Sequence, residues 1–438
     1  MSDSFYMQGN YAPVTEEVTA TDLDVEGAIP PELAGRFLRN GPNPRPGEAR
    51  PHWFLGDGMI HGVELRDGKA DWFRNRWVRT KQFRSEGQFV DDQGNVDLTY
   101  GPANTHIIGH AGRLLALVES SFPTEVTAEL DTVGTFDFDG TLTTAMTAHP
   151  KIDPETGEMV FFGYGFFPPY LTYHVVDASG SLVRSETITV KGPTMIHDFG
   201  VSAKHVVWMD MPVVFDLALA MSGGMPYRWD ETYGARLGVM PRSGGDPEVR
   251  WIEIDPCYVF HPMNAYDDEG RVVMDVVRYP DLWKKGGNDF PASTLWRWTV
   301  DADAGTATEA QIDDRPIEFP RLDERRAGLP YRYGYALETI TTLTGGSQGV
   351  LRYDLETGAT DRYEVGPGRG AAEPVFVPAG DGSAEDEGWI MTYVYDAGRE
   401  ASDFVILDAS DPGAVPVATV PLPQRVPVGF HGSWIAAS

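Results

Sequence analysis

Cysteine is almost missing from this sequence. Cys257 stands alone among 438 residues, so no disulfide can form within the chain, and such sparing use fits a reducing compartment. Positive charge is scarce as well: 35 Lys and Arg face 65 Asp and Glu, a net charge of −30. A surface this acidic repels nucleic acid and anionic headgroups, so no nucleic-acid partner is expected. No apolar run approaches the ~18 residues of a spanning helix. The opening stretch "MSDSFYMQGNYAPVTEEV" has no basic region followed by an apolar core, so no secretory signal is visible. These absences point to a soluble, cytoplasmic protein. Helical periodicity is nearly missing too. The best helical candidate is "PVVFDLALAMSGG", around Phe215 to Met221, ending at a glycine pair.

What is present is strand. "GRLLALVE", "EMVFFGYGF", "LTYHVVD", "HVVWMDM", "RVVMDVVRY", "GVLRYDLE" and "GWIMTYVYD" are short runs rich in β-branched and aromatic residues. Turn signals such as "DPETGE", "DDEGR" and "DLETGA" separate them. The 48 Gly and 33 Pro are spread along the chain rather than gathered in a linker, so a single domain over residues 1–438 is expected. The recurring strand–turn texture makes a β-propeller the leading all-β architecture; a pair of β-sandwiches lacks a boundary between its halves. Seven blades would take about 60 residues each, above the ~40–45 of a compact blade. The surplus would form long loops on one face.

Ten histidines occur, and four share a setting: His149 in "TAHPK", His197 in "MIHDF", His261 in "VFHPM" and His431 in "GFHGS". Each sits where a strand-like run gives way to a turn. Any one alone is most simply a satisfied structural histidine. Together they fit a propeller, which points one end of each inner strand at a central axis and can bring one imidazole from each of four blades to a point. Neutral nitrogens without thiolate suit Fe, Cu, Ni or Zn, and four nitrogens on iron leave positions open for dioxygen. Three glutamates also stand where apolar runs meet turns: Glu119 in "LALVESSFP", Glu318 in "PIEFPRL" and Glu373 in "AAEPVFV". A carboxylate so placed is costly to bury unless hydrogen-bonded, and a metal-bound histidine commonly passes its second N–H to such a group. Each glutamate alone reads equally as a solvated strand end.

Nine ordered blocks carry a resemblance. They are "GRFLRNGPNP", "FLGDGMIHGVEL", "ANTHIIGHAGRLLALVES", "TAHPKIDPETGEM", "MIHDFGVS", "YVFHPMNAYDDEGRVVMD", "EFPRLDERRAGLPYRYGYA", "EPVFVPAGDGSAEDEGW" and "FHGSW". The chain resembles the carotenoid cleavage oxygenases, a family that includes retinoid isomerases and stilbene-cleaving dioxygenases. The resemblance implies an all-β, seven-bladed propeller with a dome of long loops and short helices over one face. It implies non-haem Fe(II) held by His149, His197, His261 and His431. It places Glu119, Glu318 and Glu373 behind His197, His261 and His431 respectively, and gives His149 no carboxylate partner. The implied reaction is cleavage of a conjugated C=C bond by dioxygen into two carbonyl products, with no organic cofactor and no partner protein.

By the same resemblance, Thr105, Val118, Met195 and Phe260 line a substrate tunnel. Phe166, Phe167 and Tyr170 in "GYGFFPPYLTY" are further candidates that read equally as core. Stilbene-cleaving relatives usually carry Lys immediately before the first of the three glutamates; this chain has Val118 there. That favours a hydrophobic carotenoid or apocarotenoid, which needs only apolar walls. The stretch "FDLALAMSGGMPYRW" is either a buried helix or an apolar rim that can dock peripherally on a membrane. Three alternatives stay open: a stilbene- or phenylpropenoid-cleaving dioxygenase, a redox-neutral isomerase, and a non-catalytic propeller that binds partners.

Overall fold

The computed structural model describes residues 5–48, 52–340 and 346–437. They fall into two compact units. One comprises the described residues up to Asp137, Tyr335–Leu337, and those from Ser347 onward; the other comprises Phe138–Gly334 and the described residues of 338–346. Seven antiparallel sheets of four to six strands are the blades of a seven-bladed β-propeller. An eighth pairing is a two-stranded hairpin, Val213–Phe215 with Tyr227–Trp229.

The first unit contains the closure. Its five-stranded sheet orders Thr19–Thr21, Lys69–Trp77, Gly58–Arg66, Gly35–Pro42 and then Gly432–Ala436. The C-terminal strand thus pairs with an N-terminal one, in a register that sets Arg39 opposite Gly432 and Phe37 opposite Trp434. The exchange runs the other way in the six-stranded sheet, where Glu26–Gly27 pairs with Ala418–Pro421. Phe37, Val63 and Phe73 of the first sheet share one buried cluster with Tyr393, Phe404 and Ile406 of the other. At ~25 cal/mol per Å² of apolar surface, such burial replaces the staples a cysteine-poor chain cannot use.

In the second unit, three four-stranded sheets follow in chain order. Their inner strands are buried on both faces, as in Leu171–Val176, while the outer Leu182–Ile188 alternates between covered and exposed residues. That difference follows from a period-2 side-chain pattern meeting solvent on one side only. Phe162, Tyr173, Phe199 and Trp208 centre the core, with Phe199 stacked on Trp208 at 5.5 Å. The remaining sheet orders Ile317–Leu322, Tyr333–Thr339, Ser347–Asp354 and Ala359–Glu364.

Helix is confined, among the described residues, to two short α segments and five 3-10 turns. One α segment, Leu217–Met221, starts two residues later than the sequence suggests. Phe215 still pairs with Tyr227, and Asp216 caps the helix by accepting from the Ala218 and Leu219 amides. Its apolar residues are not core: Leu217 is 61% and Met221 81% exposed, and Phe167 is 62% exposed.

Candidate metal centre

Each candidate imidazole sits where regular pairing stops. His149 lies just before the strand Lys151–Ile152, its amide held by Thr147 Oγ1 at 3.1 Å. His197 belongs to an irregular stretch ahead of Gly200–Val201. His261 lies inside the strand Tyr258–Asp268, where the register with Arg271–Tyr279 slips twice between Val259 and Asn264. A bulge of this kind re-aims a side chain that a regular strand would send elsewhere. His431 directly precedes Gly432–Ala436, with its amide donating to Thr105 O and its carbonyl accepting from Asn40 N, each at 3.0 Å.

Three of the rings come from the second unit. Ring centroids of His149 and His197 are 4.6 Å apart, those of His149 and His261 5.0 Å, and those of His197 and His261 5.2 Å. The Nε2 atoms of His149 and His197 approach to 3.0 Å. With His431 included, one ring nitrogen from each of the four lies within 4.8 Å of those of the other three. His149, His261 and His431 are buried, at 6%, 7% and 4% exposure.

Two of these rings have fixed tautomers. His261 Nδ1 donates to Glu318 Oε2 at 2.6 Å, and Glu318 also accepts from Tyr279 Oη at 2.9 Å and from the Phe319 amide. Burial, with the Glu318 carboxylate alongside, raises the Tyr279 hydroxyl well above its ordinary pKa, so it stays a donor. In the first unit His431 Nδ1 donates to Glu373 Oε1 at 2.8 Å, while Glu373 Oε2 accepts from Gly432 N at 2.7 Å. With Nδ1 holding the proton, Nε2 of each ring carries a lone pair. Glu119 stands half-buried in the turn after Arg113–Leu117.

The donor set fits a transition metal. Two nitrogens ~2.1 Å from a common cation stand at most about 4.2 Å apart, so the widest pair closes by a few tenths of an ångström per ring. Four nitrogens without carboxylate or thiolate in the set disfavour Mg²⁺ and Ca²⁺ and suit Fe, Cu, Ni or Zn.

Of the apolar candidates, Phe260 and Met195 are buried in the second unit. Phe260 meets His197 edge to face at 5.1 Å, and Tyr258 Oη donates to Met195 O at 3.2 Å. Trp283 and Phe290 extend this wall at 6.3 and 6.4 Å from Phe260. Thr105 touches the His431 segment through its carbonyl, and its hydroxyl donates to Asn104 Oδ1 at 3.0 Å. Val118 is buried beside Gly101, where an added Cβ would stand 3.3 Å from Val118 Cγ1. Phe166 packs at a tilt against Phe215, with centroids 4.3 Å apart, next to Tyr227. Tyr170 is half-buried at the edge of the Phe162 cluster.

Sequence reasoning missed a carboxylate near His149. Asp198 is 2% exposed, with Oδ2 3.5 Å from His149 Nδ1, and Lys151 Nζ lies 2.8 Å from its Oδ1. The available signal was a matched pair of charges, Lys two residues after one candidate histidine and Asp one after the next. Phe319, stacked on His261 at 5.5 Å, was also missed; its neighbour Glu318 drew the attention.

Comparison with known proteins places this geometry. The family described as retinal pigment epithelial membrane protein matches residues 11–436. A carotenoid cleavage oxygenase of Mycobacterium tuberculosis is 40% identical, over 99% of this chain and 98% of its own. Among solved structures, the lignostilbene dioxygenase of Pseudomonas brassicacearum superposes with a TM-score of 0.90 at 29% identity, covering 99% of both chains. A Synechocystis apocarotenoid oxygenase variant gives 0.88 at 30%, covering 99% of this chain and 98% of the other. With matching sequence from end to end and the same fold throughout, this chain belongs to the carotenoid cleavage oxygenase family.

Proposed function

We propose that this protein is a non-haem Fe(II) dioxygenase that cleaves one C=C bond of a carotenoid or apocarotenoid, and that residues 1–438 act as one propeller domain. The observation that carries the reading is the gathering of four imidazole nitrogens within 4.8 Å, two of them backed by buried carboxylates. In this reading His149, His197, His261 and His431 hold the iron. Glu318 and Glu373 keep the Nε2 lone pairs of His261 and His431 directed at it, Glu119 serves His197, and Asp198 stands by His149. When bound, Fe(II) supplies the redox chemistry that lets ground-state dioxygen react with an alkene. The reaction balances as R–CH=CH–R′ + O₂ → R–CHO + R′–CHO, so no external reductant enters.

The chain's own residues bind and orient. Phe260, Met195, Trp283 and Phe290 offer a wall that accepts a polyene and excludes water. Thr105, beside the His431 segment, and Val118 offer small apolar surfaces, and Phe166 with Phe215 would guide the chain of the substrate. None of these carries a charge that would favour a phenolate. The exposed Leu217, Met221 and Phe167 would act as a rim that takes lipid-dissolved substrate from a membrane surface.

The test is product analysis. Protein loaded anaerobically with Fe(II) is mixed with a panel of apocarotenals, carotenoids and hydroxystilbenes under ¹⁸O₂. Two labelled carbonyl fragments from a polyene are expected. Fully loaded protein that consumes no oxygen with any polyene rejects the reading. A second reading, stilbene cleavage, is kept by the likeness to the lignostilbene dioxygenase; products from hydroxystilbenes alone would install it.

A further inference from the structure

The block "GRFLRNGPNP" has no role in the chemistry above, yet its Arg39 is buried at 4% exposure and its guanidinium is spent on backbone. Nε donates to Phe430 O at 3.2 Å and Nη1 to Pro427 O at 3.1 Å. Both carbonyls belong to the segment that delivers His431. Asn40 completes the clamp: its amide takes His431 O, its carbonyl takes Phe430 N, and its Nδ2 donates to Ala103 O and His106 O at 2.8 and 3.0 Å. The segment lies so close to the strand Gly35–Pro42 that a Cβ on Gly429 would stand 2.9 Å from Asn40 O and 3.0 Å from Gly41 Cα. Only glycine permits that approach.

We propose that Arg39 is a positioning residue which, by gripping the carbonyls of Pro427 and Phe430, fixes where the His431 imidazole stands. The proposal rests on the reading of His431 as a metal ligand. Its electrostatics agree. Burial lowers Arg39 to about 10, and the carboxylate of Glu373, which accepts from His431 Nδ1, favours the Arg39 cation. His61, opposite Arg39 in the sheet register, is pushed down to about 3 by burial, Arg39 and Arg425. It therefore adds no second positive charge. A lysine at position 39 would keep the charge beside Glu373 but cannot span two carbonyls with a planar fork.

The experiment uses Co(II) as the probe ion in the full chain. Stoichiometry, the visible d–d spectrum and the rate of release to excess chelator are recorded for wild type, Arg39→Lys, His431→Ala and the double variant. Arg352→Lys, another buried arginine paired with Asp361 and Asp386, reports the general cost of such a change. Wild type should bind one Co(II). Arg39→Lys should release it at least tenfold faster with an altered d–d spectrum, Arg352→Lys should stay within twofold, and Arg39→Lys should add nothing in the His431→Ala background. An effect of Arg39→Lys that persists undiminished without His431 overturns the proposal, as does wild-type release and spectrum in Arg39→Lys. Should Arg39→Lys not fold, Gly429→Ala, which lifts the same segment from the clamp, is read in the same way. A wild type that binds no Co(II) removes the metal reading itself, and this inference with it.

Discussion

Replacing Glu318 with glutamine isolates charge from hydrogen bonding at the heart of the site. The side chain is fully buried and accepts from three donors: His261 Nδ1, Tyr279 Oη and the Phe319 amide. His261 and Phe319 both use Oε2, which the carboxamide oxygen can replace. Tyr279 uses Oε1, and its hydroxyl can turn to accept from the new NH₂. The turned Tyr279 O–H can pass to Ser293, and one N–H of the carboxamide is left over, so stability should fall by about 1–3 kcal/mol. What is lost is the negative charge that, with the proposed ligand set, makes His261 a better ligand. Losses of this kind cost roughly 10–100-fold in metal affinity, equivalent to ~1.4–2.7 kcal/mol. Glu318→Ala does something different. It leaves three buried donors unpaired at ~1–3 kcal/mol each, a large share of the ~5–15 kcal/mol that holds a domain together. Anaerobic competition against a chromophoric chelator reads the affinity, and thermal melting reads the stability. Glu318→Gln should melt modestly below wild type and bind metal 10–100-fold more weakly, whereas Glu318→Ala should melt far lower. Wild-type affinity in the glutamine variant, or equal melting of the two variants, would refute the reasoning.

Other outcomes follow from the same structure. His174 is buried with its nitrogens on Thr144 Oγ1 and Ser185 Oγ, each at 2.8 Å, and burial pushes it down to about 4. Its folded pKa lies below the unfolded ~6.5, so the unfolded chain takes up the proton first. Stability is full above pH ~6.5 and falls as pH drops toward 4, by about 3 kcal/mol; His174→Asn should flatten the melting temperature over that window. Trp208→Ala empties a fully buried site stacked on Phe199 and should cost ~3–5 kcal/mol in urea unfolding. Val118→Lys should raise kcat/KM for hydroxystilbenes relative to apocarotenals; an unchanged ratio removes Val118 from the specificity argument. Leu217→Ser with Met221→Ser should lower co-sedimentation with neutral phosphatidylcholine vesicles and leave turnover of detergent-solubilised substrate unchanged.

Much of the fold was legible because inner strands buried on both faces must be written in β-branched and aromatic letters. "LTYHVVD" became Leu171–Val176 and "RVVMDVVRY" became Arg271–Tyr279. The histidines were legible by their shared strand-end setting, and the helix by its apolar run, although the Asp216 cap that delays its start is a local contest with strand pairing. Asp198 was not legible, since a buried carboxylate with a lysine partner reads in sequence like any surface acid. Nor was Arg39, whose acceptors are main-chain carbonyls up to 391 positions away: backbone partners leave no letter to find. Aromatic neighbours of the imidazoles such as Trp283 and Phe319 were hidden in the same way, each looking like ordinary core.

The exchange of terminal strands sets an order of events during synthesis. His149, His197 and His261 leave the ribosome well ahead of His431, and the Gly432–Ala436 strand can dock on Gly35–Pro42 only after almost everything between has been made. Ring closure spans nearly the entire sequence and is therefore a late, slow contact. With the proposed ligand set, a chain that ends before His431 offers three imidazole nitrogens instead of four.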